Sequence, residues 1–177
     1  MTHARRIIVT GPIGAGKSTF AAGLSRAMGI PHIELDPIYI GLDGWLPENR
    51  EALRQALQDQ FDAYPRGWVV DGGQRQALQF IVTQADTLIW LHFGAHVVFP
   101  RLVRRTIARH RAKRLTVRDL APRRSPIAWG AALWRMHQRE VRTYIRQRRP
   151  GMRVVVLRSP KDAARYLAEV GRRAPVG

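Results

Sequence analysis

Five short runs of branched apolar residues divide the chain at regular intervals. They cover residues 7–10, 32–35, 68–71, 87–93 and 154–157. Continuous apolar runs of this length are typical of strands that are buried on both faces of a parallel sheet. Segments with helical periodicity follow each run, at residues 17–28, 47–64, 74–84, 95–112, 126–149 and 160–170. This alternation predicts an α/β domain with a five-stranded parallel sheet and helices on both faces.

The chain has the size and composition of one domain. Its 177 residues are 45% hydrophobic, which is enough for one core, and we expect residues 1–177 to form a single unit. The last helix has a clear start, with Ser159 as N-cap and Pro160 at the first helical position. The absence of cysteine excludes disulfides and thiolate metal sites.

The sequence favours a cytoplasmic protein without membrane spans. No apolar signal region precedes the first strand, which begins near residue 5. The longest apolar stretch without charge, residues 87–100, is too short to cross a bilayer and contains two histidines. Nothing in the pattern fixes the oligomeric state, and we expect a monomer or a homodimer.

A phosphate-binding motif follows the first strand directly. Residues 11–18 read Gly-Pro-Ile-Gly-Ala-Gly-Lys-Ser and match G-x-x-x-x-G-K-[ST] in full. Glycines let backbone N–H groups surround phosphate oxygens, and the following helix presents its positive end to them. The motif therefore predicts ATP as the cofactor, whereas the alternative is a glycine-rich turn that only caps a helix.

Each residue type in this loop has an expected role. Lys17 would reach the β- and γ-phosphates, and the Ser18 hydroxyl would bind Mg²⁺ that bridges the same oxygens. Thr19 follows on the helix beside them. The predicted nucleotide-binding set is Gly11, Gly14, Ala15, Gly16, Lys17, Ser18 and Thr19, with Arg158 added below.

Nearly the whole chain resembles the small P-loop kinases, which include adenylate kinase, shikimate kinase and, most closely, the bacterial DNA topology modulation proteins. The resembling segments are residues 11–18, 33–36 (Ile-Glu-Leu-Asp), 68–72 (Trp-Val-Val-Asp-Gly), 85–91, 101–114 and 157–160. The resemblance implies a three-layer P-loop NTPase fold. It also implies an acceptor-side segment at about residues 36–64 and a helical arginine-rich lid at about residues 101–125.

Asp71 ends the third predicted strand, at the edge where ligands bind in open α/β folds. A carboxylate there can hold magnesium through water, or it can cap a turn. The stretch from Asp71 to Arg75 resembles Asp-Gly-Phe-Pro-Arg of adenylate kinase, although Gly73 and Gln74 depart from it. The resemblance implies that Asp71 serves magnesium and that Arg75 binds the acceptor.

The acceptor side has two further candidates. Glu34 and Asp36 alternate with apolar residues, so we expect both on one side of the second strand, with Asp36 at its catalytic end. Asp36 could orient an acceptor hydroxyl or take its proton, or it could cap the turn before Pro37. Arg50 is a candidate phosphate clamp, or simply a solvated side chain.

Positive charge is concentrated in one part of the chain. The net charge is +17, and residues 101–149 carry 16 basic and 2 acidic residues, or +14 of it. Arg101, Arg105 and Arg109 share one helical face, and a triphosphate would offset their mutual repulsion. We therefore expect Arg105 and Arg109 to act as catalytic lid residues, with Arg101 and Arg114 behind them.

A second arginine stripe supports a rival function. It comprises Arg135, Arg139, Arg142, Arg146 and Arg149 on a basic amphipathic helix. The rival is a nucleic-acid-associated P-loop ATPase or DNA-binding regulatory protein, in which Trp129 and Trp134 could stack on bases rather than pack in the core. A membrane-surface role and a merely solvated face remain further alternatives, and we expect at most weak, non-specific nucleic acid binding.

The remaining candidates carry weaker signals. His92 and His96 read as structural residues, and His32, His110 and His137 carry no resolvable signal. The resemblance places Arg158 beside the adenine ring, while helix capping by Ser159 is the alternative there. The function that fits these patterns best is Mg·ATP-dependent transfer of the γ-phosphoryl group to a small-molecule acceptor, with a nucleotide or nucleoside favoured.

Overall fold

A computed structural model describes residues 5–43, 46–72, 75–111, 126–148 and 150–173. Its strands are β1 (Arg6–Thr10), β2 (His32–Glu34), β3 (Trp68–Asp71), β4 (Thr87–Leu91) and β5 (Arg153–Leu157). Its α-helices are α1 (Lys17–Met28), α2 (Leu35–Gly41), α3 (Arg50–Ala63), α4 (Arg75–Gln84), α5 (Ala95–Arg111), α6 (Pro126–Gln147) and α7 (Pro160–Arg173). A 3₁₀ turn, Pro47–Asn49, leads into α3.

The five strands form one parallel sheet in the order β2-β3-β1-β4-β5. β1 therefore lies at the centre, between β3 and β4, and the chain leaves it in the loop before α1. Strand order reverses at this point, and ligands of open α/β sheets bind in the crevice that such a reversal opens. The register sets Val9 beside Asp71 and Thr10 beside Trp90, so that the phosphate motif starts level with both neighbours.

Alternation along β1 divides the core into two layers. Ile7 and Val9 pack with α1 and α7, whereas Ile8 packs with α3, α4 and α6. All three side chains are at most 1% exposed. This two-sided burial explains why the strands read as continuous apolar runs, and it confirms the predicted three-layer α/β architecture.

One boundary prediction is wrong. β2 ends at Glu34, and α2 begins at Leu35, so that Asp36 lies in the first turn of a helix and not at the end of a strand. Leu35 is fully buried in the core, which is a tertiary constraint that outweighs the strand-like alternation. Pro37 is compatible with α2 because the first turn of a helix needs no amide donors within the helix.

Helix α6 lies across the carboxyl end of β4. The indole Nε1 of Trp134 donates a hydrogen bond to the backbone oxygen of Phe93, at 3.2 Å. One turn later His137 is 8% exposed, and Val141 is fully buried in the core. Trp134 therefore packs against the core, which is one of its two predicted roles. The side chain of Trp129 lies outside the described residues.

The buried His137 predicts a pH dependence of stability. Burial, aided by the charge of Lys17, lowers the pKa of His137 to about 4 from the model-compound 6.5. The unfolded chain takes up this proton more readily than the folded chain. Protonation of His137 therefore leaves the free energy of unfolding unaffected above about pH 6.5 and lowers it as the pH drops towards 4. The loss due to His137 should be about 3 kcal/mol.

Urea unfolding at pH 7 and pH 4.5 measures this loss. His137→Asn should remove part of the difference between the two pH values, whereas His96→Asn, at an exposed site on α5, should leave it unchanged. An unaltered difference in the His137 variant would mean that other groups cause the acid destabilisation.

Candidate active site

The loop between β1 and α1 has the backbone of a phosphate cradle. Gly14 and Gly16 have φ of 86° and 87°, in the left-handed region that favours glycine. The amide of Ala15 donates to the backbone oxygen of Pro12, at 3.1 Å, which tightens the turn. Gly16 is the N-cap of α1 and supplies no side-chain cap, and the first turn contains no acidic residue. The positive end of α1 therefore stays available to an anion.

The Lys17 side chain folds back over this loop. Its Nζ donates to the backbone oxygens of Gly11, at 2.9 Å, and Pro12, at 3.4 Å. Burial lowers the pKa of the Lys17 amine from its ordinary value. The carboxylates of Asp36 and Asp71 act in the opposite direction, and the guanidinium of Arg105 lowers the pKa further.

These electrostatic effects show that the structure gathers several predicted residues around Lys17. Asp71 is 4% exposed at the end of β3, and Asp36 lies exposed in the first turn of α2. Arg105 approaches from α5, with an exposed side chain. Asp36 is therefore close enough to Lys17 to affect it, although it lies on a helix and not on a strand, and its role towards the acceptor stays a prediction.

His32 contacts the predicted site residue Asp71, and the sequence did not reveal this contact. Its Nε2 lies 2.9 Å from Oδ1 of Asp71, and both side chains are largely buried. His32 and Asp71 are 39 residues apart, and the pairing of β2 with β3 brings them together. A carboxylate that is held in place by a histidine is a common arrangement around metal sites.

The donor set suits magnesium that arrives with a nucleotide. The Ser18 hydroxyl is exposed on the first turn of α1, and the Asp71 carboxylate ends β3. Such hard oxygen donors are the ligands that Mg²⁺ prefers. Among the described residues no group of three or more His, Asp or Glu could hold a metal ion alone. Phosphate oxygens would therefore have to complete the coordination.

Arg101 contacts the phosphate loop directly. One of its guanidinium nitrogens donates to the backbone oxygen of Ala15, at 3.2 Å, and the guanidinium lies 5.9 Å from the centre of the Phe93 ring. Arg101, which we expected behind Arg105, is thus anchored at the loop itself. The described residues do not include the side chain of Arg109. They also do not include the predicted lid beyond residue 111, which contains Arg114.

Arg50, one of the two predicted acceptor arginines, lies away from the loop. Arg50 lines a cavity of about 850 Å³ between α3 and α4, together with Arg54 and Phe80. Arg54 pairs with Glu51 at 2.9 Å and lies over the Phe80 ring. No phosphate-loop residue lines this cavity. Arg75 begins α4, but its side chain lies outside the described residues.

The ends of β4 and β5 form a second polar region. Burial lowers the pKa of His92, and the charges of Arg158 and Arg142 lower it further, while the neighbouring Gln138 amide raises it. His92 also contacts the ring of Trp90 in a tilted arrangement, with ring centres 4.2 Å apart. Ser159 accepts a hydrogen bond from the Asp162 amide, at 3.1 Å, so the predicted cap of α7 is confirmed. Contact of Arg158 with a base stays a prediction.

Comparisons with known proteins support the fold. No family model and no curated protein matches the sequence. Shikimate kinase from Acinetobacter baumannii, solved with shikimate, has a TM-score of 0.60 at 14% identity, over 94% of this chain and 90% of that one. Shikimate kinase from Bacteroides thetaiotaomicron has a TM-score of 0.60 at 16% identity, over 96% and 98%.

A third structure, a sugar kinase from Janibacter sp., has a TM-score of 0.50 at 17% identity, over 94% of each chain. At these identities the likeness establishes architecture and not activity. The affiliation with topology modulation proteins stays a prediction. In fold, the chain is an α/β protein with a five-stranded parallel sheet that is similar to these shikimate kinases.

Proposed function

We propose that this protein is an ATP-dependent phosphotransferase that transfers the γ-phosphoryl group to a small acceptor. The observation that carries the proposal is the Lys17 amine, 2.9 Å from the Gly11 oxygen, above the uncapped start of α1. A cation, free amide donors and a helix dipole thus converge on one point. Phosphoryl transfer depends mainly on such positioning and charge stabilisation.

The residues near Lys17 supply the remaining roles. Oxygens of the bound phosphates would accept the hydrogen bonds that the Lys17 amine now donates to the backbone oxygens of Gly11 and Pro12. Arg105 lies close enough to influence Lys17, and it would stabilise charge on the transferring group. Ser18 and Asp71 would hold magnesium, which on binding supplies charge neutralisation at the phosphate oxygens.

Asp36 is the candidate that acts on the acceptor. An acceptor hydroxyl oxygen would attack the γ-phosphorus, the bond from that phosphorus to ADP would break, and Asp36 would accept the hydroxyl proton. A phosphate acceptor would need no base, because it is already anionic. The role of Asp36 in proton transfer therefore depends on the acceptor class.

Lys17→Ala tests the loop. Removal of the amine should lower ATP turnover by at least about 10²-fold, because no described neighbour places a cation on the same loop oxygens. The melting temperature should change little. Lys161→Ala, on the exposed side of α7, is the matched control and should retain full activity. Turnover in Lys17→Ala within a few-fold of the parent would exclude catalysis at this loop.

Asp71→Asn tests the metal role. The substitution should raise the magnesium concentration for half-maximal turnover more than it weakens magnesium-free binding of a fluorescent ATP analogue. The reason is that an amide loses the charge that magnesium requires while it keeps a similar shape. Asp62→Asn, at an exposed position on α3, is the control. Equal effects on both measurements would reduce Asp71 to a structural partner of His32.

One observation keeps the nucleic-acid alternative open. Four arginines of α6 have exposed side chains, namely Arg135, Arg139, Arg142 and Arg146. Such a face can neutralise several phosphates, and its DNA affinity should then fall with salt at a log-log slope of about −0.9 per phosphate. A kinase lid would engage only a few cations on one triphosphate.

Paired variants separate the two functions. Arg105→Ala with Arg109→Ala should cut phosphoryl transfer by on the order of 10³-fold and leave DNA binding nearly unchanged. Arg135→Ala, Arg139→Ala and Arg146→Ala together should weaken only the salt-sensitive DNA binding. Tight DNA binding at physiological salt that depends on the α6 arginines, with no acceptor-dependent turnover, would favour the nucleic-acid function instead.

A further inference from the structure

Helix α6 buries two adjacent polar side chains. His137 and Gln138 are each 8% exposed, while the four described arginines on the same helix are exposed. The bond from Trp134 to Phe93 on one side and the buried Val141 on the other clamp this face of α6 onto the sheet. The helix thus turns its uncharged polar groups inwards and its cations outwards.

Several buried polar side-chain atoms, on α6 and on the strands beside it, lack hydrogen-bond partners among the described residues. Apart from Oδ1 of Asp86 and Oγ1 of Thr87, at the other end of β4, they are Nε2 of His137, both amide atoms of Gln138, Nδ1 of His92, Nε1 of Trp90 and Oγ1 of Thr10. Gln138 lies beside His92, yet no hydrogen bond of normal geometry joins them. Each unsatisfied buried group costs about 1–3 kcal/mol, so native proteins seldom retain one without a function or a bound molecule.

These atoms cluster at one place in the fold. Thr10 and Trp90 are partners across β1 and β4, and Trp90 belongs to the same core layer as Val141 of α6. Thr10 immediately precedes the phosphate loop, and the charge of Lys17 reaches His137. The cluster therefore borders the position that the γ-phosphoryl group would occupy.

The buried polar lining of this position is uncharged on the α6 side. Asp36 and Asp71 act on Lys17 from one side, and the buried polar side chains that α6 places here, His137 and Gln138, carry no charge. The cations that act on the neighbouring His92, Arg142 and Arg158, have exposed side chains. Burial keeps the His137 imidazole uncharged at neutral pH, because its pKa is about 4. Arg50, the described candidate for a phosphate clamp, lies in the α3–α4 cavity.

We propose that His137 and Gln138 bind an uncharged, hydroxyl-bearing acceptor and hold one hydroxyl towards the phosphate loop. This inference rests on the proposed phosphotransferase function and selects its acceptor class, a nucleoside, sugar or polyol in place of a nucleotide. The imidazole nitrogen and the amide can both accept and donate hydrogen bonds to neutral hydroxyls. The reacting hydroxyl oxygen forms a bond to the γ-phosphorus. The bond between that phosphorus and the β,γ-bridging oxygen breaks, so that ADP leaves with this oxygen, and Asp36 takes the hydroxyl proton.

Matched acceptor pairs test the chemical class. The probes are adenosine with AMP, uridine with UMP, glucose with glucose 6-phosphate, and glycerol with glycerol 3-phosphate. Each is added to the full chain with Mg·ATP, and ADP release is measured. At least one uncharged member should stimulate ADP release more than its phosphorylated partner. Stimulation by the phosphorylated members alone, or by no uncharged member, overturns the proposal.

Gln138→Leu tests the residues with the stimulating compound. Loss of the amide should raise KM for the acceptor about tenfold, as expected for one or two lost hydrogen bonds, and leave the affinity for a fluorescent ATP analogue within twofold. Arg139→Ala, the next residue on α6 and exposed, is the control and should leave KM unchanged. An unchanged KM in Gln138→Leu would mean that water alone occupies the cluster.

The stability of the same variant gives an independent readout. Since neither amide atom of Gln138 has a hydrogen-bond partner of normal geometry among the described residues, Gln138→Leu should raise the melting temperature of the ligand-free chain by a few degrees. A purely structural glutamine would cause a fall instead, and a fall would overturn the proposal. Failure of the proposed function is a separate result, because Lys17→Ala would then leave ATP turnover intact whatever the effect of Gln138→Leu.

Discussion

The connection between β1 and α1 constrains everything at the carboxyl edge of the sheet. Within residues 11–16 the chain must leave a fully buried strand, turn through two left-handed glycines and start a helix without a side-chain cap. The amide dipoles at the start of α1 give this loop a partial positive charge, which nearby negative groups stabilise. The backbone oxygens that accept from Lys17, and the carboxylates of Asp36 and Asp71 near it, form the local balance. Binding of a triphosphate would replace part of that balance.

The excess of arginine is distributed with a clear asymmetry. Arg101 and Arg105 of α5 lie against the loop or close to Lys17. The described arginines of α6 point to solvent, and the inner face of that helix is neutral. The charge of +14 on residues 101–149 is therefore spread over separate surfaces, and only part of it lies close enough to the phosphate loop to act on a bound phosphate.

The sequence predicts most of the fold because its signals are local. A complete motif next to an apolar run fixed the start of α1, and capping chemistry fixed the start of α7. The end of β2 could not be predicted, since the burial of Leu35 depends on elements far away in the chain. The same limit explains two missed parts of the site. The His32–Asp71 pair needs the β2–β3 register, and an amphipathic pattern does not reveal which polar residues at its border, such as His137, become buried.

The anchoring of Arg101 determines which part of α5 can move independently. Its bond to Ala15 and its position over Phe93 tie the first turns of α5 to the loop and to the end of β4. A rigid swing of the whole helix would break both contacts at once. A hinge after residue 101 would preserve both contacts during closure over a nucleotide and leave Arg101 in place at the loop. Arg105, one turn further along, is then a cation whose distance to the phosphates such a motion could change.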